Sequence, residues 1–210
     1  MSPISDEIAV VYRIAAACLA YPGDEFNDSL QAFDTVTAAL RHPAGAPLRE
    51  FLTAITRLSE AAHTTAYVDT FDFTNRHSLY LTWWTDGDTR NRGMGLVRFK
   101  EHYRAHGFDF DDSELPDFLP AVLEFSALSR TDTLLSEHRP ALELLRIALA
   151  EKGNDYALVL AAVCATLPGA SPKDRAQAKA MARSGPPRET VGLEPYGHLG
   201  MLPLLTGERR

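Results

Sequence analysis

Cysteine is almost missing from this chain: two residues in 210, Cys18 and Cys164. Both sit within apolar stretches, so a disulfide framework is not expected and a reducing compartment is. Basic charge is also in short supply. Lys and Arg number 21 against 28 Asp and Glu, a net charge of −7. That argues against nucleic acid, whose phosphates require a basic face. It suits a basic partner, such as an arginine-rich peptide. The apolar runs are too short to cross a bilayer. The first residues, MSPISDEIAV, are acidic where a secretory leader is basic. The expectation is a cytoplasmic protein with no stable membrane association.

Catalytic signatures are lacking as well. There is no Walker loop, zinc-finger spacing or dinucleotide fingerprint. Gly93-Met94-Gly95 has no third glycine in place and no βαβ unit around it, so these glycines are expected to allow close helix packing. His102 and His106 lie one helical turn apart, a spacing that can bind a metal, but no third ligand stands at a defined spacing and a solvated helix face fits better. His42, His63, His77, His138 and His198 form no set, and no serine or cysteine sits in an elbow motif. The expectation is no enzyme, no cofactor and no metal.

What is present is helix. Apolar residues make up 45% and charged residues 23%, an ordinary balance for one globular domain. Ile8, Val11, Tyr12, Ala15, Cys18 and Leu19 fall at helical spacing behind a capping Ser5, and Tyr21-Pro22-Gly23 ends the run. A second helix is predicted over 24–41 and a third through Leu48, Phe51, Leu52, Ile55 and Leu58. The aromatic stretch from Thr64 to Trp84 is expected to form two short helices rather than strands, since no partner strand offers itself. Asp86-Gly87-Asp88 reads as a turn, with Asp88 or Thr89 capping a helix to His106 that Gly107 closes. An acidic loop follows, with Asp109, Asp111, Asp112 and Glu114. Leu115-Pro116-Asp117 is expected to open the next helix, whose inner face is Ala121, Val122, Phe125 and Leu128. A single long helix is predicted over 132–152. Tyr156, Val159, Leu160, Val163, Cys164 and Leu167 mark the last strong helix, and a polar helix is predicted from Pro172 to about Met181. Residues 1–183 form the expected domain, and the Gly/Pro-rich segment 184–210 the expected mobile tail. Arg90, Arg92, Arg98, Lys100 and Arg104 make the helix before the acidic loop basic. Either this is a solvated face with local pairing, or the two form a bipolar groove that grips a peptide.

Several motifs in fixed order carry a resemblance. They are Leu19-Ala20-Tyr21-Pro22, Phe71-Asp72-Phe73, Ser78-Leu79-Tyr80-Leu81-Thr82, the run Gly87 to Met94, Leu96-Val97-Arg98-Phe99-Lys100, Tyr103-Arg104, Gly107, Glu114-Leu115-Pro116-Asp117, Leu119-Pro120 and Leu123-Glu124-Phe125. Together they resemble the nitrate reductase delta subunit family, the NarJ-type molybdenum cofactor assembly chaperones, over roughly residues 8 to 130. The resemblance implies an all-α, single-domain helical bundle of the kind shared with the TorD and DmsD redox-enzyme chaperones. It implies a client, the catalytic alpha subunit of a respiratory nitrate reductase, recognised by its N-terminal segment, either alone or in the alpha–beta complex. The chaperone would hold the apo-enzyme, support insertion of the molybdenum cofactor, and leave as the complex docks on its membrane subunit. A monomer or weak homodimer is expected. One place departs: related chaperones carry histidine after the acid–proline–acid motif, and this chain has Phe118. Imidazole chemistry is therefore not expected there.

A chaperone of this kind needs a groove and not a reactive group. The candidates for it are Tyr67, Phe71, Tyr80, Leu81 and Trp83 as apolar surface, and Asp72 and Glu124 as walls. Asp88, Arg90, Arg92 and Arg98 come from the basic helix and its entry. Glu114, Leu115, Pro116 and Asp117 come from the acidic loop. Two other readings stay open: a chaperone of the same fold for another molybdoenzyme, and a small helical metal-binding protein.

Overall fold

Ser5 opens the first helix as its sequence requires: its hydroxyl accepts from the Ile8 N–H at 3.3 Å, and α1 runs Asp6–Leu19. The computed structural model describes residues 3–73, 75–87, 90–111 and 113–184. Of the tail expected over 184–210 all but Ser184 lies outside them, as do the cap candidates Asp88 and Thr89 and the loop residue Asp112. Helices α2 (Asp24–Ala39), α3 (Gly45–Ile55), α4 (Glu60–Phe71), α5 (Leu81–Asp86) and α6 (Arg90–Ala105) follow, then α7 (Leu119–Ser129), α8 (Thr133–Glu137), α9 (Arg139–Ala150), α10 (Tyr156–Thr166) and α11 (Arg175–Ser184). Among the described residues there is no strand, so the all-α expectation holds. α10 is apolar on every face and lies at the centre, packed by α1, α3 and α9, while α1 also packs along α7. Cys18 and Cys164 are free and buried in this core, and burial pushes both thiols far above their usual range.

Three expectations need correction. The helix predicted over 132–152 is two helices, α8 and α9, because Pro140 has no N–H to continue the ladder and its ring crowds the carbonyl four residues back. The helix expected to open at Leu115-Pro116-Asp117 begins at Leu119, with Pro120 in its first turn. Residues 115–118 make a tight turn instead, with the Phe118 N–H donating to the Leu115 carbonyl at 3.0 Å. The stretch 64–84 does carry two helices and, among the described residues, no strand, but their bounds differ from the expectation. Ser59 caps the longer α4, its hydroxyl accepting from the Ala62 N–H at 3.3 Å, and a 3₁₀ turn, Asn75–His77, and the short α5 follow. A trace of strand character survives as one antiparallel bridge, Tyr80 to Phe118. There the Leu81 N–H donates to the Asp117 carbonyl (3.1 Å) and the Leu119 N–H to the Leu79 carbonyl (2.8 Å).

The two glycines of α6 behave differently. A Cβ at Gly95 would lie 3.1 Å from Thr82 Cγ2 and 3.3 Å from Asp86 Oδ2, so this position lets α6 close on α5; at Gly93 a Cβ meets nothing within 4 Å. A charged cluster that no motif announced ties the C-terminal elements together. Glu143, fully buried, faces Arg139 at 3.6 Å and accepts from Arg146 at 2.7 Å. Arg139 also donates to the carbonyls of Pro168 and Gly169, and Arg146 to that of Pro172 at 2.8 Å. These bonds fasten the segment leading into α11 onto α9.

Candidate functional site

Small residues on one side of α1 leave room for a hollow. Ala16, Ala17 and Ala20 face α2 and the acidic loop across a cavity of about 1020 Å³, lined also by Phe26, Phe33, Phe110 and Phe118. A second hollow of about 610 Å³ lies beside it, walled by Tyr67, Phe71, Asp72 and Tyr80. Tyr21, Glu114 and Phe118 line both, so the two form one bent groove. Its floor is aromatic. Tyr21 is 61% exposed and stands edge-on to Tyr67 at 5.5 Å. Tyr80 and Phe118 meet at 5.5 Å. Its rim is acidic: Asp24, Glu25, Asp111, Glu114 and Glu124 surround the larger hollow, and Asp72 and Glu114 the smaller. The basic lining residue, Arg13, is already paired with Glu124 at 3.3 Å. Such a surface attracts cations and apolar side chains together.

The wall is braced from inside. The Asp117 side chain is buried and its Oδ2 accepts from the Thr82 N–H at 3.0 Å and the Thr82 hydroxyl at 2.5 Å, holding the start of α5. Arg92 Nε donates to Thr82 Oγ1 at 3.2 Å, and its guanidinium lies 5.8 Å over the Tyr80 ring. The Tyr80 hydroxyl donates to Glu114 at 3.0 Å; burial, then that bond, pushes its pKa up to about 12. The Tyr103 hydroxyl donates to the Pro116 carbonyl at 2.5 Å and fixes the turn from below.

The candidates from the sequence are thus divided. Phe71, Asp72, Tyr80, Glu114 and Glu124 line the groove, and Tyr67 is its buried floor. Leu81, Pro116 and Asp117 are buried and support the wall without facing a ligand. Trp83 is half-buried on α5, Leu115 is 38% exposed on the turn, and neither lines a hollow. Arg90 and Arg98 lie on the outer side of α6, away from the groove. The His102 and His106 rings lie 4.6 Å apart, tilted to one another, but the described residues hold no group of three metal-binding side chains. Sequence reasoning missed the α1–α2 wall: Tyr21, Phe26, Phe33, Asp24 and Glu25. The signal was there in Phe26 and Phe33, seven residues apart, the first buried and the second half-buried, on a largely polar helix.

The profile of the nitrate reductase delta subunit family matches residues 37–162. This chain belongs to that family. The match takes in every groove residue from Tyr67 to Glu124, while the α1–α2 wall precedes it. The chain is 30% identical over 165 residues to a Bacillus subtilis protein named as the nitrate reductase molybdenum cofactor assembly chaperone NarJ, covering 75% of this chain and 88% of that one. It is 28% identical over 159 residues to Escherichia coli NarJ, of the same chaperone name, covering 73% and 66%. It is 39% identical over 160 residues to the nitrate reductase-like protein NarX of Mycobacterium tuberculosis, covering 75% of this chain and 24% of NarX, so the chain spans about a quarter of that relative's length. Among solved structures, a protein of Archaeoglobus fulgidus described as a redox enzyme maturation protein superposes with a TM-score of 0.58 at 18% identity, over 74% of this chain and 91% of that one. At that identity the likeness carries the fold alone. The two NarJ relatives are named as chaperones and not as reductases. No described helix is long and apolar enough to cross a membrane.

Proposed function

We propose that this chain is an assembly chaperone, without catalytic activity, for a nitrate reductase, and that it grips a basic, amphipathic segment at the N-terminus of the catalytic alpha subunit while the molybdenum cofactor is inserted. The observation that carries the reading is the groove itself: aromatic along its floor, acidic along its rim, and open to solvent. An amphipathic helix laid into such a groove buries two or three apolar side chains, each contributing about 1.5–3 kcal/mol. Ordering a flexible segment costs roughly 2–5 kcal/mol, so the net affinity stays modest and the client is releasable. Family membership and the NarJ relatives support nitrate reductase as the client class. Phe118 sits where both hollows meet and offers a flat apolar ring to the bound segment, a role that histidine chemistry does not serve.

Calorimetry with a peptide of the alpha subunit's first few tens of residues tests the reading. The expected result is saturable 1:1 binding that weakens as salt is raised, because exposed rim charges are screened. Tyr21→Ala should lose about 1–2 kcal/mol, roughly tenfold in Kd. No saturable heat at low salt, or equal binding of a scrambled peptide, would refute it.

A further inference from the structure

The outer face of α6 has the chemistry that the groove is built to receive. Met94 and Val97, 56% and 54% exposed, sit side by side one helical turn apart. Arg90, Arg98 and Arg104 flank them, all exposed, and none has an ion-pair partner among the described residues. Glu101 is the acid on that face. Three arginines and two bare apolar side chains thus stand together on a chain whose net charge is −7. Gly93 leaves open space beside Met94, so a facing surface can approach the backbone there. With 16 residues at about 1.5 Å each, the helix presents a straight ridge of roughly 24 Å. The inner face of the same helix, Phe99 and Tyr103, is buried and holds the ridge to the body.

We propose that this face of α6 docks into the acidic groove of a second copy of the chain, so that self-association and client capture compete for one groove. The inference rests on the reading of the groove as the site for a basic amphipathic helix. Charge complementarity names the occupant: Glu25, Asp111 and Glu124 on one copy's rim oppose Arg90, Arg98 and Arg104 on the other, over the aromatic floor and the Met94–Val97 pair. Ridge and groove are different patches, so a one-way contact would be heterologous and open-ended, whereas two copies that each fill the other's groove close into a two-fold dimer. The free chaperone would in this way cover its own apolar floor until a client displaces the partner.

Sedimentation velocity on the full chain at low salt tests this. The expected result is a concentration-dependent shift above the monomer that 0.5 M salt reverses. One variant carries Arg90→Glu, Arg98→Glu and Arg104→Glu; the other carries Glu25→Lys, Asp111→Lys and Glu124→Lys. Each alone should sediment as a monomer, and an equimolar mixture should recover the 1:1 complex, since both contacts are then complementary again. Circular dichroism verifies the fold, and the single swaps Arg98→Glu and Asp111→Lys replace any triple variant that fails to fold. A wild-type chain that stays monomeric at every concentration, or a mixture of folded variants that does not associate, overturns the proposal. The client peptide separates the two readings. Peptide binding without any self-association sinks this inference alone, and self-association that the peptide cannot displace counts against the client groove.

Discussion

Removing the Glu143 carboxylate should be among the most damaging single changes outside the apolar core. The side chain is 0% exposed and lies between two guanidinium groups, Arg139 at 3.6 Å with 7% of its side chain exposed, and Arg146 at 2.7 Å with 20% exposed. Glu143→Ala leaves two cations without their anion in a site that water scarcely reaches. Breaking a buried pair in this way costs about 3–5 kcal/mol. Water has some access to Arg146, which places the loss near the lower end, about 3 kcal/mol. A domain of this size loses roughly 2–4 °C of Tm per kcal/mol, so the expected drop is about 6–12 °C by differential scanning calorimetry. Urea titration should show a lower midpoint with the same slope. The sign of a second variant is diagnostic. Adding Arg146→Met to Glu143→Leu should recover part of the loss, because only Arg139 then stands without its anion, and it keeps the Pro168 and Gly169 carbonyls as acceptors. A drop below about 2 °C for Glu143→Ala would mean that the cluster behaves as a surface pair, and the reasoning from burial would fail.

Two further predictions use internal controls. Gly93→Ala should stabilise the protein by about 0.4–1 kcal/mol, since the position is helical and open. Gly95→Ala should gain less or lose stability, because its Cβ presses on Thr82 and Asp86; thermal melts of the two variants give the comparison. Acid should weaken the fold through histidine before carboxylates titrate. His63 is buried, tilted against Phe26 at 5.3 Å, with Nε2 3.1 Å from the Tyr156 hydroxyl, and burial lowers its pKa. His102 and His138 shift the same way for the same leading cause. Above about pH 6.5 these rings are neutral in both states and stability is complete; as pH falls below it, the unfolded chain takes up protons that the folded chain refuses. Urea midpoints should therefore fall between pH 7 and 5.5. His63→Gln should flatten part of that slope, and an unchanged slope would remove His63 from the account.

The helical architecture was legible where local and global signals agree. Ser5 and its apolar stripe gave α1, and Gly107, at φ +81°, ends α6 as a left-handed residue suits. It failed where two signals compete. Apolar spacing runs on from Leu134 and Leu135 to Leu149, and that continuity masks the break that Pro140 makes. Leu-Pro-Asp resembles a helix start, yet the chain uses it as a turn so that Asp117 can cap α5 from inside. About half of the groove could be read, since Phe71, Tyr80, Glu114 and Glu124 lie in the motif-bearing stretch. The other half could not, because it arises from two helices meeting. Ala16, Ala17 and Ala20 are unremarkable as residues, and only the packing of α1 beside α2 and the acidic loop turns them into a cavity floor.

The groove floor is the outer layer of the core, and this decides how binding is controlled. Tyr67 lies under Tyr21, packs on Phe71 at 4.9 Å and on Tyr156 at 6.1 Å, and donates its hydroxyl to the Leu19 carbonyl at 3.1 Å. Tyr156 in turn packs on Phe51 at 5.0 Å and bonds His63. An anchor such as Tyr21 therefore stands on rings that are already fixed, and binding a client requires little ordering of the chaperone. Among the described residues no histidine lines either hollow, so the groove carries no group with an ordinary pKa between 6 and 8. On the proposed reading, a histidine in the lining is therefore not what releases the bound segment. What can vary, on that same proposed reading, is the competing charge at the rim, supplied by salt, by the basic face of a second copy, or by the client's own movement.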